Sequence, residues 1–506
     1  MSLIINGYLS ILNGPCLLMI FIGVVVGIVF GAMPGLSCTM AVALFLPITY
    51  GMSPITAFAL LMGLYIGSIS GGLISAILLR IPGTPSSVAT CWDGHPMTAK
   101  GQGMKALGAG IFYSFLGTVF SIFILMFVAP PVARLATKFG YYEYFAIALF
   151  SLTMIGTLSS GSMTKGIFSG VLGFMFATVG IAPVDATVRF TFGFQSLLSG
   201  FQQLPVLIGL FAISEIIATT ETARLYSNEI ITSPNTKGVK GFGFSVKEFI
   251  EQRWNALRSA LIGVAIGILP GIGGGTSNII AYTVAQNQSK HPEKFGTGIL
   301  DGVVASETAN NASVGGAMIP LLTLGIPGDA VTAILLGGLM MHGLSPGPLL
   351  FQTSPGLIYS IFASMMVASI IMLIVEFYGL RVFVKLLGIP KHILLPIVFA
   401  LCIVGAYGIN SRIFDVGAIL VFGLIGYMFT SFNIPTAPFI LGFILGPMAE
   451  TNLRRGLQLS KGSYAPFFQK PISAVFIAIT VFTIIYTIIK EGRKKKEIKT
   501  HKFSDI

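Results

Sequence analysis

The chain has 506 residues, of which 54% are hydrophobic and 9% charged. So few charges cannot clothe a water-facing surface of this size, which excludes a soluble globular enzyme, and so high an apolar content excludes disorder. The net charge of +12 sits mainly in loops and the tail, where it reads as a positive-inside bias rather than as a nucleic-acid surface. The apolar runs are too long for β-barrel strands, so the expected class is an all-α polytopic membrane protein with roughly ten to thirteen membrane segments.

In chain order, the first 16 residues carry no Lys or Arg, unlike a signal-peptide n-region, and suit an outward N-terminus. An apolar stretch over 17–30 runs into Gly31-Ala32-Met33-Pro34-Gly35, which breaks a helix. Apolar stretches follow at 38–50, 55–80, 106–130, 142–160, 166–182 and 196–218. Residues 220–258 hold Arg224, Lys237, Lys240, Lys247, Arg253 and Arg258 and divide the chain as a basic, cytoplasmic linker. Apolar segments resume at 259–270, 276–285, 312–326, 330–341, 356–380, 393–409, 413–432, 434–448 and 471–489, before the tail with Arg493-Lys494-Lys495-Lys496. The expected organisation is a first membrane repeat over 1–219, the linker, a second repeat over 259–466, an extra transmembrane helix over 467–490 and a basic cytoplasmic tail over 491–506. One feature pulls against that orientation, because the 453–470 loop, placed outside, holds Arg454, Arg455, Lys461 and Lys470. Cys16, Cys38, Cys91 and Cys402 are scattered and read as small apolar residues rather than a disulfide or metal set.

The halves repeat each other. Gly27, Gly31, Pro34 and Gly35 form GxxxGxxPG, and Gly263, Gly267, Pro270 and Gly271 form it again 236 residues later. Gly71-Gly72 precedes Ile81-Pro82-Gly83, and Gly315-Gly316 precedes Ile326-Pro327-Gly328, 245 residues later. One GxxxG is explained by close helix packing alone, but two paired motifs in one order point to duplication. Odd numbers of crossings would make the halves inverted, an organisation typical of secondary transporters with the site at the helix breaks.

Four breaks result: Pro34-Gly35, Pro82-Gly83, Pro270-Gly271 and Pro327-Gly328. Each frees backbone groups that survive at membrane depth only inside protein or beside a wet cavity. A half-helix N-terminus there favours an anion, and freed carbonyls suit a cation. Thr84, Ser86 and Ser87 follow the second break, Gly273-Gly274-Gly275-Thr276-Ser277-Asn278 the third, and Asn310, Asn311 and Ser313 precede the fourth. Taken singly these residues cap helices; concentrated at duplicated breaks they make a binding site. Ionisable residues near apolar segments are few, namely Arg80, Asp93, Asp185, Arg189, Glu215, Glu307, Asp329 and Glu376, and each is expensive in a bilayer. Asp329 suits either an N-cap or a cation ligand; Arg80 suits a substrate anion or the interface. No HExxH, no GxGxxG in a βαβ setting and no GxxxxGK[ST] occurs, so neither enzyme chemistry nor ATP-driven pumping is expected.

The stretch 81–90, with Asp93-Gly94-His95-Pro96-Met97, resembles the large membrane subunit of the tripartite tricarboxylate transporters. So do 309–316, 319–328 with His342-Gly343, the 289–296 loop and Pro346-Gly347-Pro348. The resemblance covers essentially the whole chain. It implies an inner-membrane secondary transporter of prokaryotes that imports di- or tricarboxylates by symport, with Na⁺ or H⁺ as coupling ion, no cofactor and an elevator motion. It also implies a small four-helix membrane subunit and an extracytoplasmic substrate-binding protein as partners, within membrane lipid and without nucleic acid. Asp329 and Gln286 depart from the residues the resemblance leads one to expect. On this reading Thr84, Ser86, Ser87, Asn310, Asn311 and Ser313 hold the carboxylates. Gly35, Ser37, Gly271, Thr276, Ser277, Asn278 and Asp329 supply cation or substrate contacts. A passive channel and a transporter of a non-carboxylate small molecule are the competing readings.

Overall fold

The computed structural model describes residues 2–158, 163–223, 242–386, 391–485 and 489. Residues 224–241 of the basic linker and the whole 491–506 tail lie outside the described residues. The described chain is helical apart from one short antiparallel pair, β1 (Gly180–Ile181) with β2 (Val188–Arg189). Six described helices are long and apolar enough to cross a membrane, and five further apolar helices are shorter. The chain is therefore an all-α, multi-pass membrane protein.

The helices in order are α1 (Ser2–Ile11), α2 (Gly14–Ala32), α3 (Cys38–Phe45), α4 (Pro54–Leu79), α5 (Val88–Ala99), α6 (Gly103–Ala136), α7 (Tyr141–Leu158) and α8 (Met163–Ala177). Next come α9 (Gln203–Leu207), continuing through a π-helical turn into α10 (Ser214–Ala223), then α11 (Val246–Gly267), α12 (Gly273–Gln288), α13 (Leu300–Leu324) and α14 (Ala330–Met341). The last are α15 (Leu350–Thr353), α16 (Pro355–Leu386), α17 (Lys391–Asn410), α18 (Ile413–Ser431), α19 (Thr436–Leu459), α20 (Ala465–Gln469) and α21 (Pro471–Ile485).

Two compact units emerge, one of residues 1–137 and 204–428, the other of 138–203 and 429–506. They do not coincide with the two sequence halves, since each half contributes to both units. In the first unit α2 lies along α4, and α11 along α13, while α6 and α12 also pack on α13. Small residues permit these close crossings. A Cβ on Gly27 would fall 2.6 Å from the Leu64 carbonyl oxygen, and one on Gly316 2.6 Å from that of Val264. In the second unit α19 packs on α7 and α8.

Sequence punctuation governs the helix ends. Asn13 and Ser53 cap α2 and α4, each followed by Pro in the first turn, where the missing N–H is no loss. Hydropathy places the start of α11 near 259, but it falls at Val246, because Ser245 and Glu248 form a capping box in which each side chain accepts from the other's backbone N–H. The Lys105 ammonium bonds Glu248 across to α6. That ion pair, reinforced by the Ser245 backbone, holds the Glu248 carboxyl down at about 2. The Phe242-Gly243-Phe244 turn just before packs its rings on Phe112 of α6, and the Phe242 ring lies tilted with its centroid 4.4 Å from that of Phe377 of α16.

Candidate functional site

The two inner Pro-Gly turns sit in matched surroundings. A Cβ on Gly83 would meet the Gly31 carbonyl oxygen, with the Gly72 Cα 3.0 Å away. A Cβ on Gly328 would meet the Gly267 carbonyl oxygen at 2.6 Å and the Ala317 Cα at 2.6 Å. Gly31 and Gly267 occupy corresponding places in the repeated motif, so the first turn presses against α2 and the second against α11. Each turn also leads directly into a capping box, made by Thr84 with Ser87 in the first half and by Asp329 with Thr332 in the second.

The side chains after the first turn meet α12 and α13. α12 starts at Gly273, after Gly271, whose φ of +78° is the left-handed conformation glycine adopts freely. Its first-turn amides have no partner within the helix. A Cβ on Gly274 would lie 2.6 Å from Asn310 Oδ1, 3.0 Å from Ser313 Oγ and 3.1 Å from Ser86 Cβ. One on Gly275 would lie 3.2 Å from the Pro85 carbonyl oxygen. Ser86, Asn310 and Ser313 thus converge on the bare N-terminus of a four-turn helix. Asn310 is fully buried, and neither its Oδ1 nor its Nδ2 makes a hydrogen bond. The Asn310 amide stands close enough to act on the Glu307 carboxyl, but forms no hydrogen bond of good geometry with it. A buried amide with both ends unmet costs several kcal/mol, roughly 1–3 per group, unless something binds it. The nearest hydroxyls are already turned: Ser313 donates to the Asn310 carbonyl at 2.6 Å, and Thr84 and Ser86 share a bond at 3.1 Å.

Of the other residues expected at the site, several serve the scaffold. The Ser87 hydroxyl donates to the Thr84 carbonyl at 2.9 Å. Ser277 donates to the Gly274 or Ala309 carbonyl. Asn278 accepts from the Ala89 N–H at 2.8 Å, tying α12 to the start of α5. Asn311 points away from Asn310, donating to Ser114 of α6 at 2.9 Å and to Glu307 Oε2 at 3.2 Å. Thr276 is partly buried on the first turn of α12. At the outer break Ser37 caps α3, and Gly35, with φ +88°, accepts at its carbonyl from Thr219. The Gly271 N–H donates to the Gly328 carbonyl at 2.9 Å, so the third and fourth breaks are joined.

Asp329 is an N-cap whose oxygens are fully engaged. Oδ1 accepts from the Thr332 N–H and hydroxyl, both at 2.7 Å, and Oδ2 from the Tyr65 hydroxyl at 2.6 Å. A Cβ on Gly273 would lie 3.0 Å from Asp329 Cβ, so the carboxylate stands next to the α12 N-terminus. Arg80 is the exposed, left-handed C-cap of α4. Asp185 and Arg189 pair with Arg454 and Glu450 in the second unit. The Arg454 guanidinium, with Thr187, lowers the Asp185 carboxyl below its usual range.

The sequence marks Asp93 and Glu307 as costly acids without revealing their partners. Asp93 Oδ1 accepts from the Gly296, Gly298 and Ile299 N–H groups at 2.7–3.1 Å, and Oδ2 from Tyr282 at 2.8 Å. It clamps the loop into α13 against α5 and α12. Glu307 is fully buried and accepts from Thr90 at 2.5 Å, Ser114 at 3.0 Å and Asn311. Tyr65 and Ser114 escape sequence reasoning, because a hydroxyl inside an apolar helix carries no signal until its neighbour is known.

A multi-pass helical membrane protein with broken helices, where buried polar side chains converge on a helix N-terminus, fits the class of membrane transport proteins. Residues 17–441 match the family model described as the tripartite tricarboxylate transporter TctA family. The chain belongs to that family, whose members are transporter components rather than enzymes. It is 35% identical over 500 residues, 98% of each chain, to an uncharacterised 52.8 kDa protein in the TAR-I ttuC' 3' region of Agrobacterium vitis. It is 37% identical over 235 residues, 46% of this chain and 97% of the relative, to an uncharacterised protein in the TAR-II ttuC' 3' region of the same organism. A protein of Methanocaldococcus jannaschii shares 27% over 198 residues, 38% of this chain and 48% of the relative. No solved structure matches the chain.

Proposed function

We propose that this chain is the large subunit of a cation-coupled importer of di- or tricarboxylates in a prokaryotic cytoplasmic membrane. It works with a small membrane subunit and a soluble extracytoplasmic substrate-binding protein. The observation that carries the reading is the buried, unbonded Asn310 amide facing Ser86, Ser313 and the N-terminus of α12. These are neutral donors together with a helix dipole, a combination that favours a carboxylate. Because no full positive charge is committed, binding stays weak enough for release. Thr84 and Ser87 shape the loop above the pocket, and Asn311 supports it from behind. The matched packing of the Gly83 and Gly328 turns favours two duplicated halves, inverted in the membrane, with an elevator motion by analogy of fold class. Asp329, at the lip of the same helix N-terminus, favours substrates carrying less negative charge than a full tricarboxylate, and so keeps a non-carboxylate as the second reading.

The test is uptake of labelled citrate and a dicarboxylate panel into proteoliposomes holding all three components, with and without Na⁺ and H⁺ gradients. Gradient-dependent accumulation of a carboxylate supports the reading. Downhill leakage that no gradient changes would replace it with a passive channel.

A further inference from the structure

We propose that Glu376 is a proton-binding site, and that the proton it carries is the coupling ion; this rests on the transport reading above. Glu376 lies in the apolar part of α16, within the membrane-crossing segment Pro355–Leu380. It is fully buried. Ser70 of α4 donates to its Oε2 at 2.6 Å, and its Oε1 has no partner. An ionised carboxylate there would have one neutral donor for two charged oxygens, whereas the protonated acid leaves a single O–H unmet. The ionised form costs far more, so the resting group holds its proton on Oε1.

Among the described side chains of the helices packed on α16, none brings a cation to Glu376. α16 packs on α1, α2, α4 and α6. Their ionisable residues are Tyr8, Cys16, Tyr65, Arg80, Lys105, Tyr113 and Arg134. Tyr65 is bonded to Asp329, Lys105 to Glu248, and Arg80 is exposed at the α4 C-cap. Among the described residues none of these bonds Glu376; the charged group that acts on it is the Glu307 carboxylate, of like sign. Glu307 is better supplied, with Thr90, Ser114 and Asn311 donating to its oxygens and Asn310 close by. Glu376, with a single donor, is the acid of the two whose ionised form is least compensated.

Coupling follows from position. Glu307 adjoins Asn310, the proposed carboxylate contact. An anion bound there adds negative charge beside Glu307 and tightens proton binding at Glu376. By reciprocity the proton tightens anion binding by the same factor. Proton and anion then travel in the same direction, and releasing either loosens the other.

Two measurements on the complete three-component transporter test this. Infrared difference spectra over a pH titration should contain a protonated-carboxyl C=O band at neutral pH that Glu376→Gln removes. If Glu376→Gln removes only carboxylate bands, the proposal falls whatever the transport result. In proteoliposomes an inward ΔpH of one unit should raise substrate accumulation about tenfold for one coupled proton. Glu376→Gln, which mimics the protonated acid, should lose that rise while still exchanging labelled for unlabelled substrate. A ΔpH response undiminished in Glu376→Gln, or accumulation driven by Na⁺ alone, overturns the proton assignment and leaves the transport reading intact. Wild-type protein that accumulates nothing under any gradient, with its partners present, overturns the transport reading itself and this coupling role with it.

Discussion

After Pro82-Gly83 the chain continues into Thr84, Pro85 and Ser86, whereas after Pro327-Gly328 it continues into Asp329. Both turns press a glycine against the carbonyl of a corresponding glycine, and both open with a capping box. Their chemistry differs. The first tip is made of hydroxyls and borders an amide, Asn310, that forms no hydrogen bond of good geometry. The second carries a carboxyl group whose oxygens accept from Thr332 and Tyr65. The same backbone device therefore borders unmet polar groups in one place and a satisfied helix cap in the other. Unmet bonding capacity, rather than the presence of polar residues, separates a site from a scaffold.

If that distinction is right, Asn310→Ala lowers carboxylate uptake by roughly 10- to 100-fold, the scale for losing a hydrogen bond to a charged group. Membrane expression should be unchanged; normal uptake would remove Asn310 from the site. Gly274→Ala sharpens the same point, since the added methyl enters the space between Asn310, Ser313 and Ser86. Uptake should drop roughly tenfold or more, with a stability loss of about 1–3 kcal/mol for overpacking, read as a lower Tm in detergent. Asp329→Ala tests the other tip. It strips the cap of α14 and the partner of Tyr65, and should destabilise by about 1–2 kcal/mol, while Asp329→Thr restores most of the cap. A larger fall in uptake for Asp329→Thr than for Asn310→Ala would invert the comparison.

The smallest effect concerns Glu248, remote from both tips. Its carboxyl is held at about 2 against an ordinary 4.5. A depressed carboxyl stabilises the folded state above its unfolded value and loses that contribution as pH falls toward about 2. Glu248→Gln should therefore destabilise slightly at neutral pH, by less than about 1 kcal/mol for a partly exposed pair, read as a small fall in Tm. The difference from wild type should shrink as the solution is acidified through that window.

How much is legible from sequence varies with the kind of interaction. The membrane class, the four breaks and the candidate polar clusters come from composition and from glycine and proline, which act locally. Thr84, Ser86, Asn310 and Ser313 are legible as a group because they crowd the breaks. The split between Asn310 and Asn311 is not, because adjacent residues on a helix point about 100° apart, and only the neighbouring helices decide which one finds partners. Asp329 admits two roles until Tyr65 and Thr332 fill its oxygens. Glu376 has only its position to mark it in the sequence; its meaning depends on Ser70, 306 residues away.

The sequence alone determined that this chain is helical, membrane-embedded and broken at Pro-Gly pairs, since hydropathy and backbone restriction are properties of neighbouring residues. The tertiary structure decided which polar groups are spent and which are left open. That choice depends on donors and acceptors brought together from distant helices, and in a low-dielectric interior each bond made or missed weighs heavily.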